Sequence, residues 1–384
     1  MSTFLNRVPY RSSRRRTHFS DFDPVLTGAV AILLFIGTLL VYAATRNWYA
    51  SNGLDPQYYL KRHVINIIIG IFLAWGTTVI DYRLLRSYTP FVWGASVLGL
   101  LYVLVLGSEV NGAQAWISLP GGFQIQPAEL AKISIIVGIS MILSERSHDS
   151  DEPTRNDVLR SLGVAALPLL LILAQPDMGT VLIISVAVIA ILGISGAPTK
   201  WVAGLLILAV AGSFVAVKSG VIKDYQIKRL QSFVDPNADT QGSGYQLRQA
   251  RITVGSGGLL GTGLFDGPQT NGRFVPEQQT DFIFTVAGEE LGFLGSSLIL
   301  ILYTIILMRA FAIARRSNDP YGRLVSAGVA AWFAFQAFEN IGMTLGLMPM
   351  TGVPLPFMSY GGSSMFATLI GFGLLQNVHA RHKG

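Results

Sequence analysis

The sequence predicts an all-α protein that crosses a membrane about ten times, and three observations carry that prediction. Of 384 residues, 51% are hydrophobic and only 13% charged, with mean hydropathy +0.49; soluble proteins carry about 25% charged residues. The apolar residues gather into ten runs, each near the ~20 residues that a spanning helix needs. Lysine and arginine crowd the connections on one side of those runs and are sparse on the other. A soluble chain of this length would divide into two or three domains, and the composition excludes that class. The net charge of +6 and the pI near 9.5 do not indicate a nucleic-acid partner, because the basic residues are scattered between apolar runs.

Taken in order, the chain opens on a polar cytoplasmic arm, 1–23, with Arg7, Arg11, Arg14, Arg15 and Arg16, and without the pattern of a cleavable signal. The expected spans lie near 24–44, 64–81, 89–106, 127–143, 158–175, 178–195, 201–217, 281–308, 322–347 and 359–379. Unbroken, the fifth and sixth would make a helix of more than ~50 Å against a core of about 30 Å, so Gln175-Pro176-Asp177 is read as a tight turn between them. The spans form one domain, 24–379, with a long loop at 218–280 and a short tail at 380–384.

Ten spans place the arm, Arg83, Arg86, Arg146, Arg155, Lys200, Arg315, Arg316, Arg323, Arg381 and Lys383 on one side. The opposite short loops hold Arg46, Lys61 and Arg62 in the first and no basic residue at 107–126, 175–178 or 348–358. Both termini are therefore expected in the cytoplasm of a multi-pass protein. Zero cysteines exclude disulfide and thiolate chemistry, and His18, His63, His148, His379 and His382 lie too far apart for a metal cluster. No internal repeat of the transporter kind is visible.

The polar oddities then fall on the outward side. They are the outer loop with Asn111-Gly112 and Trp116, the pair Glu129 and Lys132, Gln175 and Asp177, Asp281, and Ser359-Tyr360-Gly361-Gly362-Ser363. An ionisable residue that is costly in lipid is a functional candidate by default. Asp281 leads, at the junction of the long loop with the eighth span; its plainer reading is a helix-capping carboxylate. Glu289 and Glu290 stand about 80° and 180° around the same helix, so neither pairs with Asp281 as a glycosidase dyad would. Glu129 and Lys132, three apart, share a helix face; they make either a buried ion pair or a site where Lys132 neutralises an anion that Glu129 orients. Glu339-Asn340 is a further costly pair within the ninth span. Trp116 reads equally as an interfacial belt residue.

In the long loop, Ile227, Leu230 and Val234, and again Leu247, Ala250 and Val254, recur at helical spacing opposite Lys228, Arg229, Arg248 and Arg251. Two short interfacial helices are expected, their basic faces at the level of lipid phosphates. The string Gly255-Ser256-Gly257-Gly258-Leu259-Leu260-Gly261-Thr262-Gly263 is read as flexible backbone able to offer N–H groups to a ligand. Pro349, Pro354 and Pro356 ahead of the Ser359 motif suggest irregular backbone lining a cavity.

Four motifs, in order, carry a resemblance: Gln126-Pro127-Ala128-Glu129-Leu130-Ala131-Lys132, Gln175-Pro176-Asp177-Met178-Gly179-Thr180, Pro276-Glu277-Gln278-Gln279-Thr280-Asp281-Phe282-Ile283-Phe284, and Pro354-Leu355-Pro356-Phe357-Met358-Ser359-Tyr360-Gly361-Gly362-Ser363-Ser364. From about residue 20 to its end the chain resembles the shape, elongation, division and sporulation (SEDS) family. The loop text Ser232-Phe233-Val234-Asp235-Pro236, Gly244-Tyr245-Gln246 and Gly267-Pro268-Gln269 resembles the elongation branch more than the division branch. Departures are mild: Ala128 stands where serine is common and Gly288 where alanine is.

The resemblance implies a ten-helix peptidoglycan glycosyltransferase of the bacterial cytoplasmic membrane. It would polymerise lipid II at the outer leaflet, beside a class B penicillin-binding protein and the elongation machinery. It puts the essential aspartate at Asp281, the loop tryptophan at Trp116, and the charged pair at Glu129 and Lys132. A carboxylate can serve as general base for the attacking hydroxyl. Lys132, Arg62, Arg229, Arg248 and Arg251 are candidates for the pyrophosphates, Lys132 foremost, and Asp177, Ser359, Tyr360 and Ser363 for lining the substrate site. The chemistry leaves room for a divalent cation, magnesium or manganese, on Asp281 or Glu129. The rival readings are a lipid II flippase, a septal polymerase and a non-catalytic scaffold.

Overall fold

The computed structural model describes residues 21–110, 113–145, 152–218, 224–235, 239 and 242–382. The arm as far as residue 20, Asn111-Gly112, Arg146 and Lys383 lie outside the described residues.

Ten long helices run between two ends of a bundle: α1 (Pro24–Ser51), α2 (Tyr58–Val79), α3 (Tyr82–Leu106), α4 (Pro127–Ser144), α5 (Arg155–Ala174), α6 (Met178–Ile194), α7 (Thr199–Lys218), then α12 (Gly292–Arg316), α13 (Pro320–Leu345) and α14 (Gly362–His382). Between α7 and α12 lie α8 (Asp224–Val234), α9 (Ser243–Ser256), α10 (Pro268–Gly272) and α11 (Ile283–Glu290). Six of the long helices are apolar and long enough to cross a membrane on their own account: α1, α2, α3, α4, α5 and α12. Helices α13 and α14 instead carry buried polar residues, which the surrounding helices shield.

Side-chain caps set the helix starts. Asp23 accepts the N–H groups of Val25 and Leu26 ahead of Pro24 and pairs with Arg309 of α12, joining three elements at the end that bears the termini. Thr154 and Asp157 form a reciprocal capping box on α5. Asp177 and Asp319 cap α6 and α13. The centre is α4 with α13, packed among α3, α5, α6, α9, α12 and α14. Helix α14 lies against α2.

Two parts of the expected order change. The eighth span is not one helix from 281. Gly292 breaks it with φ 64, leaving α11 as a short, wholly buried helix and α12 as the crossing element. The glycine string makes the break: Phe293 N–H and Leu294 N–H, orphans of α12's first turn, bond to the carbonyls of Gly258 and Leu259 at 2.9 and 3.1 Å. Thr262 N–H and Gly263 N–H bond in turn to the carbonyls of Glu289 and Glu290. That string therefore clamps the helix joint, and its N–H groups there are spent on protein rather than held for a ligand.

The second change is a small antiparallel sheet in the loop before α4: β1 (Ser108–Val110), β2 (Ala113–Leu119) and β3 (Phe123–Ile125), in sequential order with Ile117 opposite Ile125. The loop helices α8 and α9 form where the apolar stripes predicted them. Leu247 and Ala250 of α9 are buried against protein, on α11 and α13, whereas Leu230 and Val234 of α8 are exposed.

Candidate functional site

Asp281 stands in the turn just ahead of α11, outside the spanning helices. The turn is built on Glu277, whose left-handed backbone (φ 52) lets its one carbonyl accept the N–H groups of Thr280, Asp281 and Phe282 at 3.1, 3.1 and 3.3 Å. Its other carbonyls are tied outward. Gln279 O accepts Tyr360 N–H at 2.9 Å, Thr280 O accepts Ser359 Oγ at 2.5 Å, and Asp281 O accepts Asn340 Nδ2 at 2.7 Å. Gln278 Nε2 anchors the underside to the carbonyls of Ala44 and Thr270. Four chain segments thus fix one carboxylate, the preorganisation a reacting group needs.

The carboxylate of Asp281 lies against Gly352. A methyl group there would stand 3.2 Å from Asp281 Oδ2 and 3.9 Å from Arg229 Nη1, so the glycine lets carboxylate and guanidinium face the same space. Arg229 Nη1 also donates to Thr351 O at 3.4 Å. Burial pushes the Asp281 carboxyl up to about 7; Glu277 adds to the rise, Arg229 opposes it, and Asp177 adds again. Asp177, half-buried, caps α6 through Thr180 N–H and accepts Gln126 Nε2 at 3.0 Å.

Beneath lies a buried polar layer. Lys132 Nζ donates to Glu129 Oε1 at 2.8 Å and Gln336 Oε1 at 3.1 Å, and stands 5.0 Å from the Trp332 ring centre. Trp332 Nε1 shares Gln336 Oε1 at 2.6 Å, and Gln336 Nε2 reaches Pro354 O at 2.8 Å. Lys132 is only 1% exposed. Two of its three donors are taken by Glu129 and Gln336 and its charge faces the Trp332 ring, which favours the ion-pair reading: it holds α4, α13 and the loop before α14 together under Asp281. Glu339, on the same α13 face, is fully buried, with the Thr351 hydroxyl beside its carboxylate.

The other sequence candidates divide. Ser359 Oγ, besides bonding Thr280 O, accepts Leu355 N–H at 2.8 Å, and Ser363 Oγ accepts Gln126 N–H at 2.8 Å; both shape the site's backbone. Arg62 Nη1 donates to Gly122 O at 2.8 Å, with its guanidinium over the Tyr58 ring at 4.5 Å, beside the Tyr59–Tyr360 pair at 4.7 Å. Arg251 caps the C-terminus of α13 through Gly346 O at 3.0 Å, away from Asp281. Arg248 is half-buried on α9, and Trp116 half-buried on β2.

Sequence reasoning missed Gln126, Gln336, Trp332, Thr351 and Gly352. Two of them had a signal: Gln126 opens one of the four motifs, and Gln336 lies four residues before Asn340 on one helix face. Among the described residues no three acidic, histidine or cysteine side chains converge on one point. Among those residues no ligand set is assembled for the magnesium or manganese considered above.

A family model joining FtsW, RodA and SpoVE, described as cell cycle protein, matches residues 24–384. The chain is 34% identical over 352 residues to the peptidoglycan glycosyltransferase MrdB of Escherichia coli, covering 92% of this chain and 93% of that one. It is 35% identical over 377 residues to the probable peptidoglycan glycosyltransferase FtsW of Trichlorobacter lovleyi, covering 96% and 95%. A solved chain superposes with TM-score 0.77 at 31% identity, over 94% of this chain and 98% of that one; its structure is described as the structural coordination of polymerization and crosslinking by a peptidoglycan synthase complex. A ten-helix bundle, a clamped Asp281 turn and a family match over nearly its whole length agree: the chain is a multi-pass membrane protein of the FtsW/RodA/SpoVE family.

Proposed function

We propose that this protein is a peptidoglycan glycosyltransferase that polymerises lipid II, with Asp281 as its general base. The carrying observation is the Asp281 carboxylate itself. It is held by four segments at one end of the bundle, faces Arg229 across Gly352, and sits where burial brings its pKa to about 7. A base tuned near working pH both ionises and accepts a proton well. The names of the relatives supply the reaction class.

In the reaction a sugar hydroxyl gives its proton to Asp281 as its oxygen bonds the anomeric carbon. The bond from that carbon to the diphosphate oxygen breaks, and the polyprenyl diphosphate leaves with the electron pair. Arg229 is placed to offset the charge gathering on that oxygen. Asp177 and Gln126 hold the starts of α6 and α4 around the same space. Lys132, Glu129 and Gln336 position it from below.

The charge asymmetry of the loops supports an outward-facing site with both termini cytoplasmic. The neighbour's crosslinking complex supports a penicillin-binding transpeptidase as partner. The loop motifs support a role in elongation, although relatives of both branches match at nearly equal identity. A flippase needs a path through the midplane, whereas the groups that converge on Asp281 lie toward the end of α1 that carries Ala44, away from the Asp23–Arg309 end.

Purified protein supplied with lipid II in detergent tests the reading. Wild type yields glycan polymer, and Asp281→Asn yields none while keeping its melting temperature. Polymer from Asp281→Asn at the wild-type rate overturns the role of Asp281; no polymer from wild type with its partner returns the flippase or scaffold.

A further inference from the structure

One face of α2 carries Tyr59, Arg62, His63 and Asn66 toward the first residues of α14. His63 is fully buried, and neither ring nitrogen has a hydrogen-bond partner; Asn66 is 3% exposed with its Oδ1 unpartnered. Buried polar atoms are almost always bonded, so three orphans on adjacent turns demand an explanation. They face a helix start: a methyl group on Gly362, the first residue of α14, would stand 3.4 Å from Asn66 Oδ1 and 3.6 Å from its Nδ2. The His63 ring lies 6.2 Å from that of Tyr360, beside which Arg62 closes the mouth.

The chemistry of this corner is that of donors. It offers an imidazole N–H, an amide that presents NH2 after a half-turn, a guanidinium, and the first N–H groups of α14 at the positive end of a 21-residue helix. The carboxylate of Glu277 acts on Tyr59 at the edge of the corner. Such a set takes an anion, and phosphate suits it best. The corner abuts the catalytic turn, because Tyr360 N–H bonds to Gln279 O at 2.9 Å. Arg229 approaches the same turn from the Gly352 side.

We propose that the corner between α2 and the start of α14, lined by His63, Asn66, Arg62 and the backbone of Gly362, is a second diphosphate site, taking the phosphates of a polyprenyl diphosphate. This rests on the polymerase reading and sharpens it. Joining two lipid-linked glycans brings two diphosphates to one protein, the leaving one at the reacting carbon and the acceptor's a glycan length away, and Arg229 answers to only one of them. At Gly362 an added atom would meet Asn66 at ordinary contact distance, so the helix start and the amide can share one phosphate oxygen.

The test is binding of undecaprenyl diphosphate to the full-length protein in phosphatidylcholine nanodiscs. In Gly362→Ala the added methyl makes only ordinary contacts and helix propensity improves, so the variant folds, yet the methyl occupies the phosphate's place. Affinity is expected to fall at least tenfold in Gly362→Ala and in His63→Leu, and to hold in Gly361→Ala, whose methyl meets only Ser364 Cβ at 3.8 Å. Wild-type affinity in both Gly362→Ala and His63→Leu overturns the site. Equal displacement of the probe by phosphatidylglycerol overturns its diphosphate assignment in favour of a general lipid-headgroup site. The polymer assay separates the two readings. Tight, variant-sensitive binding without polymer leaves the corner standing and removes the polymerase. Polymer formation with binding and KM unchanged in Gly362→Ala does the reverse.

Discussion

Asn340 holds Asp281 by its backbone, leaving the carboxylate free: its Nδ2 donates to Asp281 O and to Val353 O, each at 2.7 Å. One amide on α13 thereby joins the Asp281 turn to the loop that carries Gly352, and the gap in which Asp281 and Arg229 meet depends on it. Asn340→Leu leaves two buried carbonyls unpaired, at about 1–3 kcal/mol each. The expected result is a lower melting temperature. At temperatures where the variant is folded, turnover should drop about 10²-fold, as for an ångström-scale misplacement of a reacting group. Turnover close to wild type in the folded variant would show that the turn does not need this tie.

Lys132 is the next test, because its surroundings separate structure from substrate contact. Removing it leaves the Glu129 carboxylate, whose Oε2 already lacks a partner, buried without a countercharge. Breaking a buried pair from one side costs about 3–5 kcal/mol. Lys132→Met is therefore expected to lower the melting temperature sharply, and Lys132→Met with Glu129→Gln to recover most of it. A Lys132→Met protein of wild-type stability but weakened lipid II binding would return Lys132 to the substrate.

These two residues also show what the sequence could tell. The ten spans were legible because apolar runs of spanning length are a one-dimensional signal, and Asp177, Asp281 and Glu129-Lys132 stood out as charges that lipid penalises. The partners of those charges were not legible. Asp281 is held through Asn340, Ser359 and Tyr360 from 59 to 79 residues away, partly by backbone atoms that every residue has. The β1–β3 sheet escaped because its strands are three to seven residues long. The break at Gly292 escaped because the string that makes it reads locally as flexible loop. His63 had passed as one of five scattered histidines, and only the approach of α14 gives it meaning.

The pH profile follows from the surroundings of Asp281. A base works ionised, and burial raises this carboxyl to about 7, so kcat/KM should climb about tenfold per pH unit below 7 and level off above it. Arg229 favours the ionised form, so Arg229→Gln should move that limb to higher pH. Glu277 disfavours it, so Glu277→Gln should move the limb to lower pH. Stability runs the other way: above the ordinary 3.8 and up to about 7 the folded protein keeps a proton that the unfolded chain has lost. This group's contribution to stability therefore declines as pH rises through that window. Rate profiles of the three proteins between pH 5 and 9 check the signs, and a limb indifferent to both substitutions would remove Asp281 as its source.

The clamp at the α11–α12 joint gives the last prediction. Gly261 (φ 84) comes so close to the joint that a methyl group on it would stand 2.1 Å from Glu290 O, with Gly292 N at 2.8 Å. Backbone atoms on a buried helix end cannot yield as a side-chain tip can. Gly263 (φ 100) shares the positive φ but has only Asp266 Oδ2 within reach, at 3.6 Å. Alanine at 263 therefore meets the conformational penalty alone, about 1–2 kcal/mol, while alanine at 261 must also force the string off the helix joint. Undocking would free the first N–H groups of α12 and the support behind α11, whose N-terminal end follows Asp281. Gly261→Ala should therefore melt well below Gly263→Ala, expose Arg273 to trypsin, and lose polymerisation along with the docked loop. Equal melting temperatures and equal protease resistance in the two variants would mean that the glycine string is flexible loop after all.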